Sequence, residues 1–172
     1  MLKKIVSIAL SIGVFYSSHS FGLTQDFNEG VDYYKAGRYD LAVQKFTIGA
    51  KAGDPASQSL LASMYSQGQG VPEDKREAVK WNRMAAVQGN IGAQYNLALS
   101  YAKGQGVSQD YFKAYMWVNV AVSGLRGWDS EEMVSQLKFL KKIIEPMLTP
   151  KQLEMAQKMS NECMARDFKG CT

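Results

Sequence analysis

Histidine is nearly missing from this sequence, and His19 is the only one among its 172 residues. Histidine is the usual general base at neutral pH, and it belongs to the Ser-His-Asp and Cys-His groups of hydrolases. Because His19 lies in a segment with the features of a cleavable signal, we expect a mature protein without histidine. The sequence therefore predicts a protein that is not an enzyme and needs no cofactor.

Long apolar runs are also missing, since the longest one covers only residues 5–16 and is too short to span a bilayer comfortably. It follows a pair of lysines and precedes small residues, the order found in a secretory signal peptide. We predict a signal peptide over residues 1–22, cleaved near Ser20 or Gly22. The expected product is periplasmic or secreted, with no stable membrane insertion after cleavage.

A strong excess of one charge is absent as well. Cleavage removes two of the 20 basic residues and leaves 18 against 16 acidic, so the formal charge falls from +4 to +2. A nucleic-acid interface needs a basic stripe, whereas Lys75 and Arg76 lie beside Glu73 and Asp74 in a mixed face. We therefore expect no nucleic-acid partner, and we expect residues 23–172 to form one domain.

Cysteine is scarce, with Cys163 and Cys171 the only two. In an oxidising compartment such a pair favours a disulfide, which would hold the C-terminal tail against the last helix. A reduced pair and a two-thiolate metal site are the alternatives. No metal is expected, because two thiolates rarely suffice and no histidine lies nearby to complete a tetrahedral site.

What the sequence does contain is a repeat of 36 residues. Residues 53–88 and 89–124 align without a gap. The matching pairs are Gly53/Gly89, Gln58/Gln94, Leu61/Leu97, Ala62/Ala98, Tyr65/Tyr101, Gly68/Gly104, Gln69/Gln105, Gly70/Gly106, Val71/Val107, Asp74/Asp110, Ala78/Ala114, Trp81/Trp117 and Ala85/Ala121. A fixed period of this length is typical of solenoids, whose extended surfaces usually bind other proteins.

Each repeat is predicted to be a helical hairpin. Leu61, Ala62 and Tyr65 recur at a spacing that places them on one helical face, and the pair of glycines that follows permits the chain to reverse. Asp54 and Asp74 stand where N-caps are expected, the first before a proline and the second in a capping-box arrangement with Glu77.

The residues from Ala93 to Val107, followed by Asp110, Lys113, Ala114 and Trp117, closely resemble the Sel1-like repeats, which are related to tetratricopeptide repeats. Ala62 and Ala98 replace a glycine of the family pattern. The resemblance implies an all-α fold, an α-solenoid of stacked helix-turn-helix hairpins with a right-handed superhelical twist. It also implies an adaptor for envelope assemblies, for signalling or for contact with host cells.

Two segments are expected to close the ends of the stack. Residues 24–52 are predicted to form a divergent, tetratricopeptide-like first hairpin, and residues 125–172 a C-terminal helical cap that contains the cysteine pair. Asp129 or Ser130 can cap the first helix of this segment. Thr149 and Gln152 form a capping box for the last helix, making four hairpins in all.

By analogy with tetratricopeptide proteins, the first helix of each repeat lines the concave face of the superhelix. Positions on that helix that vary between repeats are therefore the predicted contacts with a protein partner, and an exposed Tyr95 beside Leu99 favours contact. These residues are Ser59, Ser63, Gln67, Tyr95, Leu99 and Lys103. Two tryptophans, Trp81 and Trp117, are instead expected in the core. The same is expected of five methionines, which are Met64, Met84, Met116, Met133 and Met147.

An alternative function is a cell-wall-directed enzyme or ligand binder. Ser100 and Lys103 fit the S-x-x-K pattern of serine β-lactamases and penicillin-binding proteins, although the companion S-D-N and K-T-G motifs are missing. A cysteine-rich branch of the Sel1-like family is linked to penicillin binding, but its cysteine pair in each repeat is not found here.

Overall fold

The computed structural model describes residues 25–127, 129–168 and 171, so the predicted signal peptide and His19 lie outside it. Within these ranges the chain forms eight α-helices and no strand. Their bounds are residues 25–35 for α1, then α2 (Tyr39–Lys51), α3 (Pro55–Gln67), α4 (Lys75–Ala86), α5 (Ile91–Lys103), α6 (Tyr111–Gly124), α7 (Glu131–Ile144) and α8 (Pro150–Ala165). A 3-10 turn at Glu145–Met147 joins the last two helices.

The predicted N-caps are confirmed at the helix starts. Asp54 accepts a hydrogen bond from the Ser57 amide at 2.7 Å, and Thr149 forms the full capping box with Gln152. Each cap satisfies backbone N–H groups that the first turn of a helix leaves without a partner. At α4 only half of the predicted box forms, because the carboxylate of Glu77 binds Lys80 at 2.7 Å instead of returning to the cap.

The second glycine of each loop carries a contact between repeats. Gly106 has a φ of +73°, and a Cβ there would lie only 2.1 Å from the carbonyl oxygen of Lys75. A Cβ at Gly70 would likewise lie only 2.4 Å from the carbonyl oxygen of Tyr39. Each loop thus lies against the start of the second helix of the preceding hairpin, where only glycine fits. Since Tyr39 and Lys75 are one period apart, α2 occupies the second-helix position of the same repeat.

Buried glutamines connect neighbouring hairpins at the other end of the helices. Gln58 and Gln94 are each 1% exposed, and their side-chain amides donate to the carbonyls of Ala50 and Ala86, both at 3.1 Å. These carbonyls lie at the end of the preceding helix, where each also accepts the backbone amide of the loop glycine, Gly53 or Gly89. The repeated contacts and the packing of each helix from α2 to α7 on its neighbour make the fold an α-solenoid of hairpins.

Helix α6 is the centre of the C-terminal half. Every residue from Ala114 to Ala121 is buried, because α5, α7 and α8 all pack against this helix. A helix surrounded in this way has no polar face. The fourth hairpin that the sequence predicts is therefore different from the others, since α7 and α8 pack mainly against α6 rather than against each other.

The predicted disulfide between Cys163 and Cys171 is present, and both cysteines are buried. The chain reverses after α8 through Asp167 and Phe168, both with positive φ. The ring of Phe168 faces Gly89 at the loop between α4 and α5, where an added Cβ would be 3.1 Å from it. The tail thus lies against the second repeat.

Not every aromatic and methionine predicted for the core lies there. Trp117 is 1% exposed, but Trp81 is only partly buried. It packs against the N-terminal cluster, which consists of the buried residues Ala42, Phe46, Ala50, Leu61 and Met64. Met84 and Met147 are 46% and 55% exposed, so their assignment as core residues is wrong. The helical spacing alone does not reveal that no helix covers them. None of the helices in the described ranges is long and apolar enough to cross a bilayer.

Candidate binding surface

Four of the six predicted contact residues lie around one cavity between α3 and α5. Ser63 and Gln67 come from α3, while Leu99 and Lys103 come from the equivalent positions of α5. The cavity has a volume of about 110 Å³. Ser59, near the start of α3, lies outside its lining. Side chains one period apart thus meet on the same side of the stack.

Tyr95 is less exposed than the sequence analysis predicted. It is partly buried and packs with Leu99 against the core that α5 and α6 share. Burial raises the pKa of the Tyr95 hydroxyl. Tyr95 is not among the residues that line the cavity, and because its ring packs against the core it does not form an isolated aromatic anchor.

The cavity also contains polar residues that sequence reasoning did not assign to it. Helix α4 contributes Lys75 and Asn82, and α5 adds Asn96 and Ser100. The signal at Asn82 was visible in the sequence, because this asparagine falls on the apolar face of α4, in line with Ala78 and the alanines at the helix end. A polar residue at such a position needs a partner.

Several of these polar groups already bond to each other. Ser100 donates its hydroxyl to the carbonyl of Asn96 at 2.8 Å, and Gln67 donates to the hydroxyl of Ser63 at 2.8 Å. The Lys75 ammonium donates to the carbonyl of Ser66 and lies 3.5 Å from the carboxylate of Glu73. The lining itself includes two lysines and no carboxylate. It therefore favours anionic or hydrogen-bonding groups.

Asn82 is the unusual member of this set. Its side chain is 3% exposed, and its Oδ1 atom has no hydrogen-bond partner among the described residues. A buried acceptor without a donor costs on the order of 1–3 kcal/mol, unless a ligand or water supplies the donor. The oxygen atom itself is buried, so it is not an accessible part of the cavity lining.

A second depression lies on a different part of the surface, beside the glycine loop of the second repeat. Its floor is apolar, with Val79, Met84, Val87 and Val107, and basic side chains border it. Two of these are engaged, since Lys80 pairs with Glu77 and Arg83 donates to the hydroxyl of Tyr101 at 2.9 Å. This groove explains why Met84 is exposed.

Two solved structures share this architecture. The protein c5321, described as a protective antigen present in uropathogenic Escherichia coli strains and displaying an SLR fold, aligns with a TM-score of 0.76 and 30% identity over 90% of this chain and 32% of its own. A Sel1 repeat protein from Oxalobacter formigenes aligns with a TM-score of 0.59 and 27% identity, covering 74% of this chain and 96% of its own.

A curated relative matches part of the chain. The exopolysaccharide production negative regulator of Rhizobium meliloti (strain 1021) is 40% identical over 77 residues, which are 45% of this chain and 28% of the relative. The chain thus spans about a third or less of that relative and of c5321.

The Sel1 repeat model matches residues 10–37, 55–90 and 91–121. The second and third matches begin at the first residues of α3 and α5, whereas the first includes residues that the structure does not describe and ends before α2. Together they cover more than half of the sequence. The chain belongs to the Sel1 repeat family.

Proposed function

We propose that this protein is an exported, noncatalytic scaffold that binds a protein partner on the surface formed by α3 and α5. The observation that carries the proposal is the cavity at which equivalent positions of two successive repeats meet. Ser63 and Gln67 on α3, and Leu99 and Lys103 on α5, face it together. Repeat proteins bind partners along surfaces of this kind, which combine side chains from neighbouring units.

Three features support export. The N-terminal residues have the pattern of a signal peptide, and a disulfide between Cys163 and Cys171 is favoured outside the reducing cytosol. One relative is named as a regulator of exopolysaccharide production and another as a protective antigen, and both descriptions fit a role in the bacterial envelope or at the host interface. Mass spectrometry of the protein from a periplasmic fraction should show a chain that begins at Phe21 or Leu23.

Affinity capture from envelope extract tests the scaffold. The bait is the wild-type protein, compared with a Gln67→Ala, Lys103→Glu double variant at two exposed positions. Neither side chain is buried, so circular dichroism should show an unchanged fold. A Lys138→Ala, Lys151→Glu variant, also at exposed positions, is the matched control. The partner should remain with the wild type and the control and be lost from the first variant.

The alternative of a penicillin-binding enzyme has one specific observation in its favour, because Ser100 and Lys103 both line the cavity. The hydroxyl of Ser100, however, is bonded to the Asn96 carbonyl one turn earlier, a common arrangement for serine within a helix. The cavity of about 110 Å³ is also well below the roughly 300 Å³ at which small-molecule sites begin. Covalent labelling by a fluorescent penicillin, abolished by Ser100→Ala, would establish the enzyme.

A further inference from the structure

We propose that the face of α4 that carries Met84 binds an amphipathic helix of a protein partner, with acidic side chains beside an apolar stripe. The site is the depression whose apolar floor is formed by Val79, Met84, Val87 and Val107, here called the α4 groove. It shares no lining residue with the cavity between α3 and α5. The proposal therefore goes beyond the proposed function and adds a second interaction surface.

The second repeat shows what covers this face of a helix when it is covered. Met84 and Lys80 are exposed, whereas Val120 and Met116, one period later on α6, are 0% and 3% exposed. Helix α4 packs mainly against α3 and α5, while α6 packs against the corresponding α5 and α7 and also against α8. Because α8 is the large contact that α6 has and α4 lacks, α8 covers on α6 the face that stays open on α4. A helix is therefore the element that fits this face of the repeat.

The charges around the α4 groove determine which kind of helix fits it. Its lining contains Arg76, Lys80 and Arg83 and no carboxylate. Lys80 is paired with Glu77, but neither arginine has an acidic group within 4 Å among the described residues. Arg83 donates to the hydroxyl of Tyr101, which leaves the charge of the arginine uncompensated. A partner with carboxylates beside its apolar side chains is complementary to this border.

The spacing of the lining residues also fits a partner helix. Those on α4 follow one another at steps of three and four residues, so they form one stripe along the helix. Arg76 and Arg83 are two turns apart, which is roughly 10 Å along the axis. Two carboxylates two turns apart on a helix that lies along α4 have the same separation. An isolated anion would reach one arginine and leave the apolar floor uncovered.

The shape of the site favours a helix over a membrane surface. Gly106 and Val107 border the floor, so the α4 groove is a depression between α4 and the glycine loop of the second repeat. Val79, in this floor, is only 4% exposed. A ridge of side chains from a helix can enter such a depression, as in other helix-in-groove complexes, whereas the flat surface of a bilayer contacts mainly the rim.

NMR titration of the full protein labelled with nitrogen-15 tests the proposal with designed peptides. The first probe is a helical peptide of about 16 residues, with leucines along one face and glutamates on both sides of them. The second has lysine in place of each glutamate, and the third has the residues of the first in an order that gives no apolar face. The first should cause saturable shifts of the backbone amides of α4 around Met84. The other two should bind at least about tenfold more weakly.

Two exposed methionines provide matched variants of the protein. Met84→Glu places a carboxylate in the floor and should weaken binding of the acidic peptide about tenfold or more. Met155 on α8 is 52% exposed, close to the 46% of Met84, and Met155→Glu should bind as the wild type does. Arg76→Gln should also weaken binding about tenfold, because a charge-assisted hydrogen bond is lost. Circular dichroism checks that each variant is folded.

Several results would overturn the proposal. These are no saturable shifts with the acidic peptide, equal binding of the lysine or reordered peptide, or unchanged binding by Met84→Glu. Flotation with phosphatidylglycerol vesicles in place of peptide binding would make the α4 groove a lipid site. A dimer that Met84→Glu dissociates would make its occupant a second copy of the chain. Because the peptides are titrated without the partner, the α4 groove and the surface between α3 and α5 fail separately.

Discussion

Lys45 connects the first two helices through a pair of carboxylates. Its ammonium lies 2.8 Å from Asp26 and 2.6 Å from Glu29, both on α1. The hydrogen bonds to Asp26 and then to Glu29 raise the pKa of Lys45, and the bond from Lys45 lowers the pKa of Glu29. A carboxyl whose pKa is lower in the folded state stabilises the fold above its unfolded pKa, and this contribution disappears as the pH falls through the folded value.

We therefore expect Lys45→Gln to lower the melting temperature at pH 7. The difference from the wild type should narrow as the pH falls below about 4, where aspartate and glutamate become protonated. It should also narrow at high salt, because the groups are accessible to solvent. Thermal melts from pH 7 to pH 3 measure this difference in melting temperature. If the difference stays constant over this range, Lys45 contributes to stability by packing rather than by charge.

Gly106 should be the least replaceable of the glycines in the loops. Its φ of +73° is unfavourable for alanine, and a Cβ would collide with the backbone of Lys75 at 2.1 Å. Gly37 has the same φ of +73° with no atom within 4 Å, so it is the matched control. Gly37→Ala should cost about 1–2 kcal/mol, the price of the left-handed conformation alone.

Gly106→Ala should lower the free energy of unfolding by clearly more than Gly37→Ala does, because the loop must move away from α4. Urea denaturation of the two variants measures the difference. If Gly37→Ala and Gly106→Ala lose equal unfolding free energy, the loop at Gly106 is not in close contact with the preceding repeat.

Trp117 and Trp81 occupy equivalent positions of the repeat but differ in burial. Trp117 is 1% exposed in the interior around α6, whereas Trp81 is partly buried at the N-terminal cluster. Trp117→Ala should lower the free energy of unfolding by about 3–5 kcal/mol. Trp81→Ala should cost less, and a larger loss at Trp81 in urea denaturation would contradict this account of the core.

At the scale of single residues, the sequence predicted the caps well and burial less well. Asp54 and Thr149 are recognisable because a cap depends on neighbours within three residues. The exposure of Met84 depends instead on whether another element covers it, which no local pattern shows. The buried glutamines Gln58 and Gln94 were visible as repeat matches, but their role depends on carbonyls at the end of another helix.

Among the elements, α8 and its disulfide should act as a clamp on the C-terminal end. The bond joins Cys163 to Cys171, only eight residues apart. A loop of this length corresponds to about 2.5 kcal/mol of stabilisation from reduced freedom in the unfolded chain. Reduction with dithiothreitol should therefore lower the melting temperature of the wild type.

The variant with both cysteines replaced by serine should melt at the reduced temperature and should not respond to dithiothreitol. Phe168→Ala tests whether the tail contributes through its contact at Gly89 as well. An unchanged melting temperature after complete reduction, verified by mass spectrometry, would show that the bond adds nothing to stability.

The order of helices followed from the repeat, but their arrangement at the C-terminal end did not. The 36-residue period places α3 to α6 because each repeat packs on its neighbour in the same way. Residues 125–172 lack this period, so the sequence could show two helices but not that both would pack on α6. The nearly continuous apolar run of α6, broken only by Asn119, was the available sign, since a helix buried on all sides needs more than one neighbour.

For the whole molecule, the position of the candidate surface was partly predictable. Ser63, Gln67, Leu99 and Lys103 were chosen by analogy with tetratricopeptide proteins, and the structure brings them around one cavity. Their binding of a partner stays a prediction. The contribution of α4 through Lys75 and Asn82 could not be derived from the sequence. It depends on how α4, the second helix of its hairpin, packs against α3 and α5, the first helices of two successive hairpins.

The surface between α3 and α5 is tested most directly by photocrosslinking in cells. A photoreactive phenylalanine is placed at Gln67 or Lys103, and at Lys138 or Lys151 as exposed controls on α7 and α8. The account predicts one adduct of defined mass from the first two positions and none from the controls. An adduct that forms only from α7 or α8, or no adduct from any position of a folded and correctly located protein, would contradict it.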